Sequence, residues 1–282
     1  MNKPKFSWKK ILRIAAVILA LIVILPVAFL FYDQPGLFTD GSLDEVAPEM
    51  PVSLPQPAIL VFSKTNGFRH KEAIPAAQKL LRSFADTEGW GYFQTENGAV
   101  HNKEQLAKFD VVIWMNASGE VLTKGQETAL RSYIENGGGF IGIHAAGDGF
   151  YKSWDWYNTT VIKAKWTGHT MSPHMQVGEM HTINTEHPVS AGLPKVWAHY
   201  EEFYAFEKSP RHNGSDVLVV VDEASYEPGK YTMPEEHSMV WAHNVKEGRV
   251  VYTAMGHSAE SFETPEFKIL LKQAIKWVGK FE

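Results

Sequence analysis

The chain has 282 residues and no cysteine. That absence rules out a disulfide, a thiolate metal site and a cysteine nucleophile. It leaves the compartment open, because exported proteins can also lack cysteine. Short-range metal motifs are missing as well. No H-E-x-x-H and no H-x-H occurs, so no local segment presents a ready-made ligand set. A site assembled from distant histidines and carboxylates stays open. No internal repeat is visible. The chain also lacks the positive surplus that a nucleic-acid binder carries, and its formal net charge is −5. No acid precedes Asp33, whereas Lys3, Lys5, Lys9, Lys10 and Arg13 do. Those five are part of 27 basic residues, which leaves 22 against 32 acids in the rest.

What is present suits a sizeable core: 44% of residues are apolar and 12% aromatic. Residues 1–13 form a basic segment. Residues 14–32 form an uncharged apolar run of about 19 residues, close to the length that spans a bilayer. The positive flank predicts a cytoplasmic N-terminus, a single-pass anchor in the inner or plasma membrane, and an extracytoplasmic (periplasmic) remainder. A cleaved signal peptide is the alternative, but no clear A-x-A site follows. Residues 33–57, punctuated by Pro35, Pro48, Pro51, Pro55 and Pro57, read as a linker holding a domain at 58–282 off the membrane.

In that domain strand and helix patterns alternate. Ala58 to Phe62, Gly91 to Thr95, Asp110 to Met115 and Phe140 to Ile143 read as buried strands. A helix carrying Ile74, Ala77, Leu81 and Phe84 follows the first, and a helix opened by a Thr123–Gln126 capping box precedes the fourth. This predicts an α/β fold with a mostly parallel sheet and helices on both faces. Further strands are expected at Met175 to Ile183, Tyr200 to Phe206, Val217 to Val221, Met239 to His243 and Val250 to Ala254. A closing helix begins at Thr264–Pro265.

Gly137 to Asp148 organises the chain: three glycines, an apolar strand, then His144 among small residues. Its outline is that of a nucleophile elbow with histidine at the tip. Open α/β sheets place ligands at the carboxyl ends of their strands, where His144 and Asp148 would stand. His70, His144, His243 and His257 all end predicted strands. Imidazole suits proton transfer near neutral pH. His70, His144 and His257 are expected to line one cleft with Asp148 beside them. The Glu201–Glu202 pair would point to opposite faces of a strand, with an edge strand bearing solvated charges as the alternative. Asn66 and Tyr204 would position hydroxyls. Trp154, Trp156, Tyr157 and Trp241 offer flat faces for a sugar ring, with core packing as their alternative.

These residues carry a resemblance. Gly67-Phe68-Arg69-His70, the Gly137 to Ala146 stretch, Trp154-x-Trp156-Tyr157, His187-Pro188, Glu201-Glu202-Phe203-Tyr204 and the Gly248 to His257 stretch resemble the ThuA-like (trehalose-utilisation) family over about Ala58 to Phe281. The resemblance implies a flavodoxin-like fold, similar to class I glutamine amidotransferases, and a role in sugar utilisation that includes keto-sugars. It also brings His169 and Glu202 into the site. Without cysteine, glutaminase chemistry is excluded. The leading expectation is acid–base action on a small-molecule carbohydrate by His70, His144, His169, Glu202 and His257. Asn66, Asp148, Trp154, Tyr157, Tyr204 and Trp241 would bind the substrate. The residues single out no cofactor and no metal ligand set. A non-catalytic carbohydrate-binding module and a metal-assisted hydrolase are the rival readings.

Overall fold

In a computed structural model, the uninterrupted apolar runs become strands whose residues are all buried. β1 (Ala58–Phe62), β3 (Val111–Met115) and β4 (Gly139–Ile143) expose none of their residues, so both faces of this part of the sheet are covered. The structure describes residues 8–33, 41–148 and 153–281. Lys3, Lys5 and Tyr151 fall outside that range.

Nine strands form one sheet, in the order β2–β1–β3–β4–β11–β10–β9–β6–β7. The run from β2 (Gly91–Thr95) to β11 (Gly248–Thr253) is parallel. Beyond β11 the pairs are antiparallel, through β10 (Ser238–Val245), β9 (Asp216–Asp222), β6 (Gln176–Thr182) and β7 (Val196–Glu201). There burial alternates along β6 and β7, the pattern of a sheet with one wet face. Helix α2 (Ala73–Glu88) packs on β2, and α4 (Lys124–Glu135) packs on β11 and on the short α3 (Lys103–Leu106). Helix α5 (Pro265–Gly279) packs on β3, β4 and β11. The Thr123–Gln126 capping box forms as its sequence dictates.

Two departures matter for the site. The single strand expected over Tyr200 to Phe206 breaks at Glu202–Phe203. Its first part ends β7, while Tyr204–Phe206 is β8, which leaves the main sheet and pairs with β5 (Trp166–His169), a strand the sequence did not announce. The second departure is the Pro-rich stretch. It forms no helix or strand over residues 41–57, yet it is not a free tether. Asp44 pairs with Lys64 at 2.8 Å and accepts from the Gly98 amide at 2.7 Å. Gln126 and Gln105 donate to the Asp44 and Pro48 carbonyls. These bonds strap the stretch to the domain.

At the N-terminus, α1 (Trp8–Asp33) contains Pro26. Its Trp8–Val27 portion is long and apolar enough to cross a membrane, and none of it is buried against the protein. A signal sequence has the same character.

Candidate functional site around Glu202

The carboxyl ends of the parallel strands β4 and β11 lie side by side, with Ile143 opposite Thr253. Chain reversal here is tight. His144 sits in the left-handed region at φ 49°, an uncommon conformation for a side-chain-bearing residue that clusters at functional sites. It opens a 3₁₀ turn, His144–Gly147, rather than the helix of a nucleophile elbow. Close packing enforces this turn. The Tyr252 hydroxyl donates to the His144 carbonyl at 2.7 Å, and a Cβ on Gly147 would meet the Tyr252 ring at 2.4 Å. Asn116, at the end of β3, ties the turn to the β11 loop. Its Oδ1 accepts from the Ala145 amide at 3.2 Å and its Nδ2 donates to the Gly256 carbonyl at 2.9 Å. Sequence reasoning missed Asn116; its position just after a buried apolar strand was the available signal.

His144 is fully buried. Its Nδ1 lies 2.7 Å from the Ala254 carbonyl, which can only accept, so Nδ1 carries the hydrogen and Nε2 faces the site. Beyond β1, the 63–70 loop docks on the 116–119 loop through paired Thr65 and Ser118, and delivers His70. The rings of His70, His144 and His257 contact one another edge to face. Their centroids are 4.8 Å apart for His70–His144 and His70–His257, and 5.2 Å for His144–His257. The three strand ends thus bring these imidazoles together.

Glu202, in the break between β7 and β8, points its carboxylate into this group. Oε2 lies 3.2 Å from His144 Nε2 and 3.1 Å from His257 Nδ1. Oε1 lies 2.9 Å from His169 Nδ1, and His174 Nε2 is its other partner. Four imidazoles therefore contact one carboxylate. Burial alone would raise the Glu202 pKa, but these four rings outweigh it and hold the group well below the usual carboxylate range. Burial also works against protonating His169. The Glu202 carboxylate prevails there, and the His169 pKa sits above its ordinary value. Burial, with the nearby His144 and His257, pushes His70 well below its ordinary value. Among the described residues, His70 Nδ1 is buried without a hydrogen-bond partner.

Glu201 turns the other way, yet it too is fully buried; the reading of solvated edge charges does not hold. Its carboxylate accepts from the Gly256, His257 and Glu202 amides and from the Ser261 hydroxyl. It thereby fixes the backbone that carries His257. Burial would raise its pKa, but His199, His144 and the Gly256 amide hold it down to about 2. Access to the cluster lies on the outer side, where His174, His169 and His257 side chains are 42%, 24% and 16% exposed. His174 is a member of the cluster that sequence reasoning missed. It sits in an irregular loop 28 residues from Glu202, and nothing local marks it.

The expected substrate-binding residues divide. Tyr204 forms a wall of the site, its ring 4.1 Å from that of His144. Asp148 is buried within electrostatic reach of Tyr204, Tyr157 and Tyr252. Trp154, Tyr157 and Trp241 are not at the cluster. Trp154 and Tyr157 stack with centroids 5.1 Å apart and join Trp114 in the core. Trp241 is fully buried and donates to the Ile162 carbonyl. These three take the packing role because their strands and turns face the interior, where an aromatic ring removes the most apolar area from water. Asn66 donates to the Ser42 and Glu120 carbonyls and so pins the strap. His243, expected at a strand end, lies inside β10, which runs on to Val245, and it bonds to the Thr160 carbonyl and Ser215. A separate cavity of about 590 Å³ beside Phe206, Ser209 and Met233 shares no residue with the cluster.

The ThuA family model, described as trehalose utilisation, matches residues 58–278. No curated protein matches the chain. Among solved structures, a ThuA-like protein from Bacteroides uniformis ATCC 8492 is 25% identical with a TM-score of 0.70; the match covers 83% of this chain and 95% of that one. A ThuA-like protein from Parabacteroides merdae ATCC 43184 is 16% identical with a TM-score of 0.59, over 79% and 90% of the two chains. A β-galactosidase from Rahnella sp. R3 shares the fold alone, at 11% identity and a TM-score of 0.51, over 81% of this chain and 32% of that one. With a mostly parallel α/β sheet consistent with the class I glutamine amidotransferase-like fold, the chain belongs to the ThuA, or trehalose-utilisation, family.

Proposed function

We propose that this protein acts on a carbohydrate, including oxidised or keto-sugars, by proton transfer at the cluster around Glu202. The observation that carries the reading is the convergence of four imidazoles on one buried carboxylate at the carboxyl ends of β4 and β11. Titratable neighbours whose pKa values are driven apart are the mark of acid–base assignments. Here the Glu202 carboxylate raises the His169 pKa at the open side and so favours an imidazolium that can donate to a sugar oxygen. Burial and the neighbouring His144 and His257 hold His70 neutral inside. The Tyr204 ring provides an apolar wall. The family's sugar-utilisation description supports the substrate class. We also read Trp8–Val27 as a membrane anchor with the remainder outside the cytoplasm, a reading supported by the basic residues gathered at and before its N-terminal end.

The test is turnover of keto-derivatives of disaccharides by the full chain and its Glu202→Gln variant. A general acid–base group contributes about 10²–10⁴-fold in rate. The expected outcome is a loss of that order in the variant with far-UV circular dichroism unchanged. Turnover also falls as pH rises through the raised His169 pKa, because the imidazolium is lost there. Equal turnover in the two proteins refutes the reading. Sugar binding without turnover in either returns the site to a binding module.

A further inference from the structure

We propose that the inner half of this cluster is a seat for one divalent first-row transition-metal ion, held by His144 Nε2, His257 Nδ1, Glu202 Oε2 and a nitrogen of His70. The inference rests on the reading that this cluster is the working site, and it names what the inner imidazoles receive.

Hydrogen counting comes first. His144 Nδ1 spends its hydrogen on the Ala254 carbonyl, so in the neutral ring Nε2 offers only a lone pair. That lone pair faces Glu202 Oε2 at 3.2 Å and His257 Nδ1 at 3.2 Å. His257 Nδ1 also faces Glu202 Oε2, at 3.1 Å. One hydrogen on His257 can serve one of its two neighbours, and lone pairs confront each other across the remaining edge. Protonating the rings instead would gather several positive charges around one carboxylate in a buried site, which is costly. A single cation at the centre of the triangle satisfies all three atoms at once.

Geometry comes second. Three donors on a tetrahedral ion at 2.0–2.1 Å stand about 3.3 Å from one another. The triangle's edges of 3.1, 3.2 and 3.2 Å match that face. A His70 nitrogen completes the set, with all four ligand atoms within 4.8 Å of one another. His70 Nδ1 has no hydrogen-bond partner among the described residues. The supporting contacts are those that orient metal ligands: a ligating histidine gives its other N–H to a backbone carbonyl, as His144 does to Ala254. Glu202 Oε1 is steadied by His169 and His174, and Glu201 fixes the His257 backbone. Imidazoles with one carboxylate, and no thiolate, suit zinc, manganese, iron, cobalt or nickel rather than calcium or magnesium. With four protein ligands a sugar oxygen would reach such an ion only as a fifth ligand, and there the ion would polarise a carbonyl or hydroxyl group. His169 and His174 remain outside it to move protons.

The experiment uses the full chain in detergent, stripped with EDTA, desalted, and titrated with ZnCl₂ by calorimetry. Cobalt(II) absorption provides a second readout of coordination. The expected result is one equivalent of zinc bound at the cluster, weakened at least tenfold in His144→Ala, Glu202→Gln and the partly exposed His257→Gln. His181→Ala, which alters the surface group Glu179, His181 and Asp222, should leave that equivalent intact. Circular dichroism identifies any variant that fails to fold, and the His257→Gln result then decides. No binding to the folded wild type overturns the proposal, as does binding abolished by His181→Ala but not by His257→Gln. The two proposals fail separately. Zinc bound at the cluster without sugar turnover overturns the acid–base function and sustains the metal seat. Glu202-dependent turnover by protein that binds no zinc does the reverse.

Discussion

Replacing Glu201 by Gln tests whether the loop carrying His257 is held by a buried charge. The carboxylate accepts four hydrogen bonds. Oε1 takes the His257 and Glu202 amides at 3.1 and 3.0 Å, and Oε2 takes the Gly256 amide at 2.7 Å and the Ser261 hydroxyl at 2.9 Å. Glutamine keeps the shape but turns one oxygen into a donor. Its better orientation points the NH₂ at Ser261, whose hydroxyl can rotate to accept; the Gly256 amide then faces a donor. A stranded buried amide costs about 1–3 kcal/mol. A second route uses the pKa. Lowering it from 4.5 to about 2 spans about 2.5 units, and at about 1.36 kcal/mol per unit the ionised form contributes about 3 kcal/mol. The two routes meet at about 3 kcal/mol at neutral pH, the upper end of the first. For a domain of this size that is a drop of about 6–12 °C in Tm. The folded pKa is depressed, so the contribution is complete above pH 4.5 and is lost as pH falls toward 2. Thermal unfolding of the full chain in detergent, followed by circular dichroism between pH 7 and pH 3, measures both. The variant should melt lower at pH 7, with the gap narrowing as pH falls below 4.5. A Tm within 2 °C of wild type at pH 7, or a gap unchanged by acid, refutes the reasoning.

His101 and His243 are buried in satisfied neutral forms, and burial depresses their pKa values to about 4 and about 3. Nitrogen-detected NMR should therefore show both rings neutral at pH 5.5. Because their folded values lie below the unfolded 6.5, their contribution to stability is full above pH 6.5 and falls as pH drops toward 4; protonation of either ring at pH 6 contradicts this. For topology, a reporter fused after Glu282 should be active only when exported, and activity confined to the cytoplasm rejects the anchor reading.

Local chemistry made much of the scaffold legible. Val111 to Met115 is apolar throughout because both of its faces are covered, and Thr123 with Gln126 caps a helix through bonds that span three residues. The strand ends at His144 and His257, and the charge asymmetry before the apolar helix, could likewise be read without coordinates. The rule that parallel strands gather their carboxyl ends puts the segments carrying His70, His144 and His257 at one edge of the sheet, whereas the contact of their rings is a product of the fold.

What the sequence determined by itself was therefore whatever is encoded over a few residues: element type, caps, the apolar N-terminal run, and the exclusion of thiol chemistry. Tertiary structure alone decided which side chains share a space. Trp154, Tyr157 and Trp241 look as available for a sugar as Tyr204, until the sheet assigns three to the core and one to the site wall. Residues 41–57 look like a tether until Asp44 finds Lys64, Gly98 and Gln126. The pairing of β8 with β5 breaks the strand at Glu202 and swings its carboxylate toward His169 and His174. The physical reason is that burial and charge pairing are properties of neighbours in space. Glu202 and His257 are 55 residues apart in the chain and 3.1 Å apart in the fold.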